Sequence, residues 1–108
     1  MFHTKFKATI FYKDEDRLNK YLEKYKDATP IKAIVGTNNR LYVYEHFEIR
    51  CIKSFYFEGC KAVRCDFILI QEEIREEYNY NDFIDYVYKP ILKPMLANQK
   101  FNINIEFF

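Results

Sequence analysis

The chain has 108 residues, with 17 Lys and Arg against 16 Asp and Glu and a formal net charge of +1. That length supports one self-standing domain spanning residues 1–108, and the near-neutral balance speaks against a chain dominated by phosphate binding. Three Cys make an odd count that no closed disulfide framework uses, and no apolar run approaches the roughly 18 residues of a membrane span. The expectation is a reduced, cytoplasmic protein with no membrane contact.

Ten Tyr and eleven Phe, with no Trp, supply the material for a core. Aromatic and β-branched side chains suit a pleated, half-buried surface. The bias toward Lys, Asn, Ile, Tyr and Phe also matches the AT-rich coding of many phages and plasmids. Charge is uneven along the chain: residues 1–40 carry +4, residues 41–70 are neutral and residues 71–108 carry −3. Such asymmetry guides a charged partner if it survives folding as a patch.

Phe6, Ala8, Ile10 and Tyr12 alternate with Lys5, Lys7, Thr9 and Phe11, which predicts a half-buried first strand. Asp14 then caps a helix with Glu15 and Asp16 in its first turn, and Leu18, Tyr21, Leu22 and Tyr25 form its apolar stripe. Thr29-Pro30 ends that element. Residues 31–36 and 41–45 read as a hairpin around Asn38-Asn39, two residues that tolerate a positive φ, with Ile34 opposite Val43 and Ala33 opposite Tyr44.

Residues 47–57 and 63–69 read as a second hairpin joined by Glu58-Gly59-Cys60, which sets Ile49 against Leu69 and Cys51 against Phe67. After the polar stretch Gln71–Asn79, with Asn79 or Asn81 as cap, Ile84, Val87, Tyr88, Ile91, Leu92 and Met95 keep a helical period. Pro90 and Pro94 interrupt it, predicting a bent helix or two short ones. Phe101, Ile103, Ile105 and Phe107 form a final strand, either paired into the sheet or serving as an edge for a homodimer.

The order is β-α-β-β-β-β-α-β. It predicts an α+β fold, a single-layer and mainly antiparallel sheet with two helices packed on one face. The competing architecture is a ferredoxin-like core with an extra hairpin.

No nucleotide-loop, zinc or calcium motif occurs, so no cofactor and no metal are expected. Cys60 and Cys65 fall on opposite strand faces, and Cys51 and Cys65 lie diagonally close in the predicted hairpin, an incidental thiol pair at most. His46, between Glu45 and Glu48, has the chemistry of an acid or base but no nucleophile tied to it. No enzymatic activity is expected.

The stretch that stands out holds Glu72, Glu73, Glu76, Glu77, Asp82 and Asp85 with Tyr78 and Tyr80 among them. Like charges four residues apart disfavour a helix at its start and predict an exposed loop or a strained helical lead-in. Tyrosines beside carboxylates make a protein-binding surface, and the leading expectation is a small mobile-element regulator or inhibitor. Its partner is a protein with a basic, nucleic-acid-binding surface, engaged by carboxylates that mimic phosphate. The alternative is nucleic-acid binding by Lys5, Lys7 and Lys13 with Phe11 on one strand face, joined by Tyr42 or Tyr56.

Overall fold

The computed structural model describes residues 6–53, 65–93 and 105–108. Strand β1 (Phe6–Tyr12) leads through helix α1 (Glu15–Leu22) and a single 3-10 turn (Glu23–Tyr25) into three strands, β2 (Lys32–Val35), β3 (Asn39–Val43) and β4 (Phe47–Lys53). Beyond residue 65 come β5 (Phe67–Ile70), the one-turn helix α2 (Glu72–Arg75), α3 (Tyr80–Asp82), a π-helix (Phe83–Leu92) and β6 (Ile105–Phe107).

The six strands form one sheet in the order β2-β3-β4-β1-β5-β6. The sheet is α+β and mixed, not mainly antiparallel. β1 pairs in parallel with both β4 and β5, β5 pairs in parallel with β6, and only the β2-β3 and β3-β4 contacts are antiparallel. This overturns the hairpin expected between residues 47–57 and 63–69, and with it the antiparallel ferredoxin-like alternative. β4 and β5 never touch, because β1 lies between them, with Ala8 opposite Ile49 on one side and Phe67 on the other. The loop at residues 58–60 and Met95, Pro94 and Cys60 lie outside the described residues.

A central strand with parallel neighbours is buried on both faces. Thr9, Ile10, Phe11 and Tyr12 are accordingly all buried, so β1 is not the half-buried strand that its Lys and Thr positions suggest. Its two faces feed two separate cores. Ile10, Tyr12, Ile49, Cys51 and Leu69 pack with Leu18 and Tyr21 of α1, whereas Phe11, Ile52, Ile68 and Ile70 pack with Ile74 and with Phe83, Val87 and Ile91 of the π-helix. The helices therefore cover opposite faces of the sheet, not one. Cys51 and Cys65 fall in different cores, so the expected proximity of the two thiols does not occur.

Asp14 caps α1 as its residue type predicts, its carboxylate accepting from the N–H of Asp16 at 3.0 Å. Asn79 caps α3, accepting from the N–H of Asp82 at 2.8 Å. The helix then runs on as a π-helix that includes Pro90. In a π-helix each N–H reaches back five residues, as Lys93 does to the Tyr88 carbonyl. The buried set Phe83, Val87 and Ile91 recurs every fourth residue to match, which leaves Ile84 and Tyr88 only half-buried.

The β2-β3 hairpin turns at Thr37-Asn38, one residue earlier than expected, pairing Ile34 with Leu41 and Ala33 with Tyr42. Gly36 donates to the Asn39 carbonyl at 2.8 Å, and a Cβ on Gly36 would stand only 3.1 Å from Asn39 Oδ1, so a glycine permits the close return. No described residue takes a positive φ. At the other edge Phe108 is tied down: its N–H donates to the Ile70 carbonyl at 3.0 Å, its carbonyl accepts from Glu72 at 2.8 Å, and its ring lies 5.0 Å from that of Tyr21.

Candidate functional site

β1 and β5 are parallel neighbours whose following helices leave toward opposite faces. The chain parts there, and open sheets with this divergence carry a crevice at the carboxyl ends of the diverging strands. The crevice has a volume of about 740 Å³ and is bounded by Lys13, Asp14 and Arg17 on one side, Gln71 and Glu73 on the other, and Lys53 at the end of β4.

Gln71 closes its base. The side chain is buried, and its Oε1 accepts from the N–H groups of Lys13 at 2.8 Å and Asp14 at 3.0 Å, while Nε2 donates to Glu73 Oε2 at 3.0 Å. Arg17 Nη1 reaches Glu73 Oε1 at 2.7 Å from the opposite wall, and Lys13 pairs with Glu77. The hydrogen bond from Gln71, with Arg17 assisting, holds the Glu73 carboxyl below its usual range.

The acidic stretch is thus less free than its sequence implies. Residues 72–75 form a helical turn, the helical lead-in of the two expectations and not the loop, with Arg75 3.7 Å from Glu72 offsetting the like charges. Asp85 pairs with Lys89 at 3.4 Å, and Asp82 accepts from the Asn79 amide at 3.0 Å. Tyr78 is half-buried with its ring 6.3 Å from that of Phe83. Glu76 stays exposed, and so do Tyr80, at 75 % exposure, and Tyr86, at 66 %, which the sequence reading passed over.

The basic strand face does not form as expected. Phe11 is fully buried, Lys13 is engaged by Glu77, and Tyr42 packs into the α1 core. Lys7 remains exposed, whereas Lys5 and Tyr56 lie outside the described residues. His46 and Glu45 stand 3.8 Å apart, both largely exposed on the β3-β4 turn. Burial pushes the Cys51 thiol up to about 12 and raises that of Cys65.

Two further features emerge only from the fold. β2 lies at the edge of the sheet with all four residues exposed; Ile31 is 70 %, Ile34 47 % and Val35 63 % exposed. Ile31 and Val35 extend the α1 face and Ile34 the opposite one, since side chains alternate along a strand. The second feature is an apolar cavity of about 220 Å³ on the α1 face. Ala8 and Ile10 of β1 with Ile49 and Leu69 form its floor, Phe6 and Phe67 its sides, and Tyr21 and Tyr25 its roof.

No protein-family model, curated protein or solved structure matches this chain.

The sequence reading singled out Glu73, Glu77 and Lys13 for opposite purposes, and the fold joins them at one crevice. It missed Gln71 and Arg17. A lone glutamine directly after the apolar run Phe67-Ile68-Leu69-Ile70 was the available signal, because a polar side chain placed where a buried strand ends must find partners.

Proposed function

We propose that this chain is a non-catalytic protein-binding module that takes up an extended segment of a partner at the β2 edge. The observation that carries the reading is a sheet edge exposing three large apolar side chains on both faces. Open edges are ordinarily blunted by charge, proline or a covering element, because their unpaired N–H and C=O groups template further strands. Lys32 is the one charge within β2, and Pro30 precedes the strand instead of interrupting it. An added strand gains main-chain hydrogen bonds from the edge and specificity from side chains seated over Ile34 and Val35.

The test is selection from a displayed library of random decapeptides. Enriched peptides should alternate apolar residues, lack proline, and shift the backbone resonances of Ala33 and Val35. Replacing Ile34→Lys and Val35→Lys together should leave the melt unchanged and weaken binding at least tenfold. Binders that perturb a different face, or that tolerate both lysines, refute the reading.

A second reading is favoured by Tyr80 and Tyr86. Rigid aromatic groups exposed beside Glu76, Asp82 and Asp85 suit a basic partner surface, with carboxylates standing in for phosphate. Under this reading, binders come from a library of Lys/Arg-rich peptides, and Tyr80→Ala with Tyr86→Ala abolishes them. Indifference to both substitutions removes it.

A further inference from the structure

The cavity on the α1 face arises from one small residue at the middle of the sheet. β1 places Ala8 between Phe6 and Ile10 on that face, and its neighbours across the ladder are Ile49 and Phe67, both large. The space above Ala8 is roofed by the rings of Tyr21, from the last turn of α1, and Tyr25, from the 3-10 turn that follows it. Unfilled apolar volume ordinarily destabilises a fold in proportion to its size, and a larger side chain at position 8 would remove it.

We propose that this cavity binds a neutral, compact aromatic molecule of the size of one substituted benzene ring. Three observations support this ligand class. The volume of about 220 Å³ exceeds the roughly 150 Å³ that suffices for benzene in an apolar protein cavity. Four of the eight lining residues are aromatic, offering offset and edge contacts to a ring. Among the described residues no charged side chain lines the cavity, and the Lys24 ammonium, 4.0 Å from the Tyr21 ring centroid, is not part of the lining, so an ionised ligand would give up hydration inside it without compensation. The Tyr21 and Tyr25 hydroxyls, hydrogen-bonded to each other, put polar atoms on the roof residues alone, which suits a ligand with at most one polar substituent.

Titration of the ¹⁵N-labelled protein with toluene, p-cresol and benzoate tests the proposal. Toluene and p-cresol should give saturable shifts at the amides of Ala8, Ile49 and Leu69, and benzoate none. Ala8→Leu should fill the space, weakening toluene binding at least tenfold while raising the melting temperature. Should that variant fail to fold, Phe67→Ala widens the cavity and should move the preference toward naphthalene. Absence of saturable shifts in the wild-type protein, an equal response to benzoate, undiminished binding by Ala8→Leu, or an unchanged ring preference in Phe67→Ala each overturns it.

Discussion

Gln71→Leu is the most informative single change in the crevice. Leucine preserves the volume but offers no acceptor, so the N–H groups of Lys13 and Asp14, now held at 2.8 and 3.0 Å, lose their partner. A donor left unsatisfied costs about 1–3 kcal/mol, and both sites are partly buried, so the low end applies to each. Burying a leucine in place of the amide returns roughly 1 kcal/mol. The expected net loss is about 1 kcal/mol, read from urea unfolding with an unchanged m-value. Glu73 adds a pH signature. Its folded pKa is depressed, first by Gln71, so its contribution is present above the unfolded carboxylate range and fades as pH falls through the folded value. The gap between wild type and Gln71→Leu should therefore narrow on acidification. A loss below about 0.5 kcal/mol, or a gap that widens toward acid, would refute the view of Gln71 as the tie between the two strand ends.

Asn79→Ala should cost about 1 kcal/mol by leaving the Asp82 N–H uncapped, measurable by chemical denaturation, whereas Asn81→Ala should cost far less. With its thiol pushed up to about 12, Cys51 should resist iodoacetamide at pH 8 in the native state and react in denaturant, as followed by peptide-resolved mass spectrometry. Phe108→Ala removes the ring packed on Tyr21 and should destabilise by about 2 kcal/mol, lowering the melting midpoint by roughly 10 °C.

Alternation along the chain was enough to locate the strands, because a pleated backbone sorts its side chains by parity whatever its neighbours are. Parity says nothing of which strand lies alongside or in which direction it runs. Residues 47–53 and 67–69 fit an antiparallel register as well as they fit parallel places on either side of β1. The discriminating signal was present in the unbroken apolar runs Ile10-Phe11-Tyr12 and Phe67-Ile68-Leu69-Ile70, which mark strands buried on both faces and hence a parallel core. The β2-β3 hairpin, a local element, was legible apart from its register. The acidic residues of the candidate site were visible as a composition, but their pairing with Lys13 and Arg17 depends on contacts 64 and 56 positions apart, which no local pattern records.

The central place of β1 bears on how the chain emerges from the ribosome. β1 is synthesised before both of its neighbours and needs Ile49 on one flank and Phe67 on the other before its ladder is complete. Until residue 70 has cleared the exit tunnel, the run Ala8–Tyr12 has at most one strand beside it, and the face that carries Phe11 waits longer still, for Ile74 and the π-helix. Closing such distant pairings is intrinsically slow, and the nascent chain is most prone to association during that interval.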